Sequence, residues 1–417
     1  MKITLRDPVL LLFSLSVFTI STSLIGGVVS AVVYLVTVLS ILYKDGLKPF
    51  HGKPLLLLLL FYIVVIIYSA FGRGTLNSLS FKTELYAVIS ILSCFIFSFH
   101  LRKFKTDEIR VLFYVFLACI LFSVIATTYV GFINPMAIRQ YGFGSLDESE
   151  MSEAMMYQSL GMMSYSLAHS MSVVAMGLCA IICYSHKRWL KIFAFVFLLL
   201  VFRLLFIMTI TTALVLTCIG VSLIFATYLS RGRVVLAISL VILFVAVFFF
   251  AGFASLFLDF SQGVNMNISA KLTDLFSYIE TGAGDGQLGY RQELYSASFN
   301  TFLHNPLFGW GIDNGSRRVI GEHSFVLDYL AYYGLFAILF FAAWWKGFQI
   351  AGSNLSKRLR TSYYFSFIPV VGLLSLKGHS VCSSLPFFSL IFLQIVFSYL
   401  DNTNRIGAQT QTNRFRS

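Results

Sequence analysis

Apolar runs of about 18 or more residues recur from one end of this chain to the other, and each is long enough to cross about 30 Å of hydrocarbon as a helix. That repetition limits the fold more than any motif does. Charged residues make up 12% of the 417 and hydrophobic residues 58%, whereas a soluble domain carries about a quarter charged residues. The expected architecture is an all-α polytopic integral membrane protein of about twelve transmembrane helices, each near the 20-residue crossing length. The spans are expected at 8–25, 27–43, 54–71, 84–100, 111–131, 160–184, 190–208, 210–229, 234–257, 323–345, 362–378 and 383–400. The first run lacks a small-residue cleavage site and reads as a retained span.

Basic residues test this threading. With the N-terminus inside, the inner loops and both tails hold 21 of the 30 lysines and arginines, and the excess falls on alternate loops as the positive-inside rule requires. Both termini are therefore expected in the cytoplasm. Topology accounts for the net charge of +12, and no nucleic-acid partner is called for. Acidic residues show the reverse bias, with 13 of 18 outside or in the membrane. The six cysteines (Cys94, Cys119, Cys179, Cys183, Cys218 and Cys382) lie in or beside spans, so no disulfide framework is expected. No Cys/His metal spacing and no phosphate-cradling glycine loop occurs, so neither a metal nor another cofactor is expected and an ATP-driven pump has no support.

The chain divides into an N-terminal membrane bundle of about nine spans over 1–257, a long outer loop over 258–322, C-terminal spans over 323–400 and an inner tail over 401–417. Ordinary connections run to about five residues, and loops as long as the outer one are functional or disordered. Apolar residues at helical spacing (Tyr290, Leu294, Phe299, Phe302, Leu303) favour order there. An amphipathic helix is expected over Tyr290 to Leu303, stopping at Pro306 and followed by a Phe308-Gly-Trp-Gly turn.

The chemistry concentrates in the same region. Arg291, Arg317 and Arg318 offer guanidinium forks matched to phosphate oxygens, although one of the paired arginines reads equally well as a solvated charge. Arg291 is expected to open the amphipathic helix, where the helix N-terminus is itself an anion site. His323 stands at the outer mouth of the tenth span, either as a polar cap or as a proton acceptor working near neutral pH. Asp328 lies about 140° around a helix from it and is not expected to share its face. Arg203 interrupts the seventh span; an arginine in the membrane costs several kcal/mol unless paired or hydrated, and the alternative is snorkelling to the outer surface. His169 reads as a buried hydrogen-bonded group. Lys377 and His379 read as interface anchors.

These residues resemble a known family. The run Arg291-Gln-Glu-Leu-Tyr, then Asn300-Thr-Phe-Leu-His-Asn-Pro-Leu-Phe-Gly-Trp-Gly, then His323-Ser with nine residues before Gly334, is similar to the O-antigen ligase and polymerase superfamily. The resemblance is specific over about 290–340. It implies a metal-independent, inverting glycosyltransferase on the periplasmic face of the bacterial inner membrane, with no cofactor. The donor would be a glycan on undecaprenyl diphosphate, Arg291 would hold the diphosphate, and His323 would activate or position the acceptor hydroxyl. Partners would be the lipid bilayer and other glycan-assembly proteins such as a chain-length regulator. One element departs from the family: its Ser-Arg-Gly-like turn between the seventh and eighth spans reads Thr209-Ile-Thr-Thr-Ala here, with Arg203 six residues earlier. That departure and the compact Arg-to-His interval favour a polymerase. A ligase acting on lipid A core is the alternative, and a lipid-linked glycan transporter is the rival from another class.

Overall fold

In the computed structural model the described residues are 8–22, 27–46, 48, 52–71, 81–133, 149, 152–153, 156–157, 160, 165–208, 211–230, 287–310, 320–321, 323–376 and 385–414. Among them the regular elements are all helical. The N-terminal part comprises α1 (Pro8–Thr22), α2 (Gly27–Asp45), α3 (Lys53–Phe71), α4 (Phe81–Leu101) and α5 (Thr106–Ile133). It continues with α6 (Tyr165–Tyr184), α7 (Arg188–Ile207) and α8 (Thr211–Leu229). The C-terminal part holds α9 (Gln287–His304), α10 (Phe325–Tyr333), a 3₁₀ turn (Gly334–Phe336), α11 (Ala337–Gly352), α12 (Lys357–Phe365) and α13 (Phe367–Leu376). A short lead (Leu385–Phe387), a π turn (Phe388–Phe392) and α14 (Leu393–Arg414) end it.

Apart from α9, α12 and the second half of α14, these helices are apolar on most sides, which is the pattern of a segment buried in protein or lipid. Leu35, Ile66, Ile125 and Ile192 are exposed on the helix surfaces, while one continuous cluster from Val9 to Leu400 fills the interior. Three helical stretches among the described residues, Thr106–Ile133, Thr212–Leu229 and Phe325–Gly352, are long and apolar enough to cross a membrane. The chain is thus a helical membrane protein. Helices stand at the expected spans except 234–257, which lies outside the described residues.

Where lipid and core are equally apolar, polar pairs and close backbone approach hold helices together. The Ser16 and Thr37 hydroxyls meet at 2.9 Å between α1 and α2, and Thr217 donates to Ser172 at 2.9 Å between α8 and α6. Ser362 of α12 meets Tyr184 of α6 and Thr227 of α8, each at 2.6 Å. Ser98 of α4 donates to Gln394 of α14 at 2.7 Å. Gly177 lies so close to the Phe392 ring that a Cβ would strike it.

Charges gather at helix ends. Asp45 accepts from His100 Nδ1 at 2.7 Å and pairs with Lys103 at 2.9 Å, joining α2 to α4 beyond the expected span 27–43. Burial pushes the Asp45 carboxyl up, but Lys103 and His100 outweigh that and hold it below its ordinary value. Arg358 stacks over Tyr228 at 4.7 Å and Tyr184 at 5.3 Å.

Three expectations change in detail. The tenth span begins at Phe325, is broken by the 3₁₀ turn at Gly334 and runs on to Gly352. The expected tail over 401–417 is itself helical as far as Arg414, where α14 ends, supported by an i,i+4 pair between Arg405 and Asp401 at 2.8 Å. The amphipathic helix begins one turn early, at Gln287, so Arg291 sits on its second turn, past the first-turn amides that make a helix N-terminus an anion site.

Candidate functional site

The helix α9 ends at His304 because the residue before Pro306 is pushed out of the helical region. The chain then turns through Pro306, Leu307, Phe308 and Gly309 and docks on the far end of α10. Trp310 N–H donates to the Ala331 carbonyl at 2.8 Å, and Leu335 N–H donates to the Pro306 carbonyl at 2.8 Å. Gly309 (φ 68°) and Gly334 (φ 59°) meet at this contact. A Cβ on Gly309 would run into the Tyr332 carbonyl, and one on Gly334 would lie 2.5 Å from the Leu307 oxygen. Only glycine combines the left-handed conformation with that approach. The phenol of Tyr68 in α3 donates to the Phe308 carbonyl at 2.5 Å and fixes the turn from the other side. Tyr333 packs its ring against Phe61 at 5.2 Å and Tyr68 at 5.7 Å.

The opposite end of α10 carries the polar groups. Ser324 is its N-cap, with the side chain accepting from Leu327 N–H, as the capping preference for serine predicts. Asp328 is buried, and its Oδ2 accepts the Ser324 N–H at 3.1 Å. Its Oδ1 accepts from the Ser298 hydroxyl of α9 at 2.6 Å. Ser298 Oγ in turn accepts the Gly321 N–H at 2.9 Å. Gly321 is packed against the backbone of Leu294, where no Cβ would fit. Since 294↔321, 298↔328 and 306↔335 are all in contact, α9 and α10 run side by side in the same direction.

His323 is exposed just before this cap. Its Nδ1 lies 3.2 Å from the Gly321 carbonyl oxygen. A carbonyl can only accept, so Nδ1 is the protonated nitrogen and the neutral ring carries its lone pair on Nε2. Arg291 is half-buried, one turn ahead of Leu294 on the same helix. Among the described residues no carboxylate pairs with it. Tyr295 stands one turn on from Arg291 and donates to the Leu376 carbonyl at 3.3 Å. Burial pushes its phenol up from the ordinary value, while the charge of Arg291 beside it pulls the other way. Arg291, Tyr295 and Ser298 share a face at i, i+4 and i+7. Elsewhere on α9 and its turn, Tyr290, Phe299, Leu303, Leu307 and Phe308 are exposed. Of the apolar positions at helical spacing, Leu294 and Phe302 are half-buried.

Arg291 and His323 thus flank a common contact, Gly321 on Leu294. Arg203, by contrast, is exposed near the end of α7 and has no hydrogen-bond or ion-pair partner among the described residues. Arg317 and Arg318 lie outside the described residues, as do Lys377 and His379, and His169 is fully buried on α6. Sequence reasoning did not single out Ser298, Tyr295 or Tyr68, and it left Asp328 without a partner. The spacing of Arg291, Tyr295 and Ser298 held a signal for the first two.

These features describe a helical membrane protein in which Arg291 and His323 lie on either side of one contact of a clamped helix pair. A family model described as O-antigen ligase matches residues 196–342, from α7 into α11. The match covers about a third of the chain, and over that stretch the sequence is similar to this family. A search of curated proteins gave no match.

Proposed function

We propose that this chain is a membrane glycosyltransferase that polymerises oligosaccharide repeat units carried on undecaprenyl diphosphate, at the periplasmic face of the bacterial inner membrane. In this reading it crosses the membrane about twelve times with both termini in the cytoplasm, as the alternation of basic loops suggests, and 258–322 is periplasmic. The observation that supports the site is the contact of Gly321 with Leu294, which has Arg291 on one side and His323 on the other. Arg291 holds the diphosphate of the donor. Its fork gives two parallel charge-assisted hydrogen bonds where an ammonium gives a point charge. His323 receives the proton of the acceptor hydroxyl on Nε2 as that oxygen attacks the anomeric carbon, and the lipid diphosphate leaves from the opposite face. No metal is required, because the leaving diphosphate is already a stable anion and Arg291 offsets its charge. Arg203, Arg317 and Arg318 are further candidates for the phosphates.

The second reading, a ligase that passes the glycan to lipid A core, draws support from the description of the family model itself. The absence of an arginine in Thr209–Ala213 favours the polymerase. One experiment addresses both. Purified protein is given lipid-linked repeat units alone or with lipid A core, and products are sized. Chain growth without lipid A supports polymerisation; transfer only with lipid A establishes the ligase. Arg291→Ala should abolish transfer and Arg291→Lys should restore little. His323→Ala should reduce it at least about a hundredfold. Wild-type product from either Arg291→Lys or His323→Ala would remove that residue from the mechanism. Movement of intact lipid-linked glycan across vesicles with no glycosidic bond formed would establish a transporter instead.

A further inference from the structure

The contact between Ser298 and Asp328 could have been made by two apolar side chains, which would hold α9 on α10 with no desolvation cost. What hydrogen bonds add is direction. Four of them run in sequence: the Ser324 N–H to Asp328 Oδ2 at 3.1 Å, the Ser298 hydroxyl to Asp328 Oδ1 at 2.6 Å, the Gly321 N–H to Ser298 Oγ at 2.9 Å, and His323 Nδ1 to the Gly321 carbonyl at 3.2 Å. The amides of residues 321 and 324 are therefore tied to one carboxylate, directly or through one hydroxyl. His323 lies between those two fixed amides. Ser298, Ser324 and Asp328 are buried, while the imidazole alone is exposed.

We propose that Ser298 and Asp328 are positioning residues that set the direction of the His323 ring. The proposal rests on the reading of His323 as the proton acceptor. The direction of the Nε2 lone pair follows from where the Gly321 carbonyl points, since Nδ1 is bound to it. The carbonyl is held because Gly321 is pinned by Ser298 and packed on Leu294 with no room for a Cβ. Leu294 and Ser298 belong to the helix that bears Arg291, so the same latch fixes the imidazole relative to the guanidinium. A general base must stand within hydrogen-bond reach of the proton it takes, and errors of an ångström in such a site are costly in rate. Asp328 acts through Ser298 and the cap, and is not itself the base.

The test uses the full-length protein in detergent or vesicles, with lipid-linked oligosaccharide extracted from cells lacking this protein. Two quantities are read: transfer kinetics, and the rate at which diethyl pyrocarbonate acylates His323, followed by mass spectrometry. Ser298→Ala should lower turnover at least about tenfold with the donor KM within about twofold, and should change the acylation rate at least about threefold. Ser298→Thr, which keeps the hydroxyl, should recover much of both. Combined with His323→Ala, the Ser298→Ala change should cost nothing further, since residues acting as a unit are not additive. Asp328→Asn, nearly isosteric, should shift the acylation rate in the same direction. A Ser298→Ala change that lowers the residual rate of His323→Ala by its own full factor would overturn the latch, because it would then act on folding. So would His323 acylation that is unmoved in both Ser298→Ala and Asp328→Asn. If His323→Ala transfers like wild type, the proton-acceptor reading fails, and the acylation rates still decide whether the latch directs the ring.

Discussion

Replacing Gly309 by alanine attacks the turn at its tightest point, and the structure allows the cost to be worked out. The backbone there has φ 68°, a conformation that costs an L residue about 1–2 kcal/mol. The new Cβ would also overlap the Tyr332 carbonyl and lie 2.5 Å from the Gly334 nitrogen, both backbone atoms of a packed helix end. The turn must therefore lift, and three hydrogen bonds go with it: Trp310 to Ala331, Leu335 to Pro306, and Tyr68 to Phe308. At about 1 kcal/mol each, the total is about 4 to 5 kcal/mol, which is roughly a thousandfold in the docking equilibrium. The turn touches only the Gly334 break of the tenth span and Tyr68 of α3 through these bonds, so the loss should be local. Gly309→Ala should accumulate normally in membranes, lose at least about a hundredfold in glycan transfer, and become sensitive to chymotrypsin around Phe308 and Trp310. Wild-type transfer together with protease resistance would refute the reasoning, since it would mean that the backbone contact with Tyr332 and Gly334 is not made.

Tyr68→Phe removes a single hydroxyl and should cost only about 1 kcal/mol, seen as partial protease sensitivity at the same turn with most transfer retained. The Asp45 carboxyl titrates below its ordinary range, so its stabilising contribution is present above about pH 4 and is lost as pH falls through the lowered value. The melting temperature of the purified protein should drop across that acid window, and Asp45→Asn should be about 2 kcal/mol less stable at neutral pH with a flatter acid limb. An identical acid limb in Asp45→Asn would assign the effect to other groups. Reporter fusions after Lys187 and Arg233 should signal cytoplasm and one near Gly284 the outer side; a cytoplasmic signal at Gly284 would invert the orientation and remove the proposed periplasmic site.

The helices were legible because hydrocarbon imposes one length and one composition on every crossing, so the apolar stretches such as 54–71 and 210–229 fall close to α3 and α8. The breaks were less so. Nothing in FVLDYLAYYGLFAILFF separates α10 from α11 by composition, and only the docking of Pro306 and Leu307 on Gly334 gives that glycine its conformation. Arg291 and His323 stood out as polar groups in an apolar setting. Ser298 did not, since a serine inside SASFNTF looks like any small helical residue until Asp328 and Gly321 are brought to it across 30 and 23 residues. The helical wheel that set Asp328 apart from His323 included a residue that lies ahead of the N-cap and outside the helix.

The parallel pairing of α9 and α10 also turns a sequence interval into a ruler. The pair is clamped at one end by Ser298 and Asp328 and at the other by Pro306 and Leu335. Each residue adds about 1.5 Å and 100° to a helix, so one residue inserted into α10 would carry Gly334 off the turn by that distance and swing it to another side. No loop within α10 could absorb the difference. The nine residues of Phe325–Tyr333 are therefore a fixed gauge between the imidazole end and the anchored end, and tolerance to insertion should fall to nothing between Ser324 and Gly334.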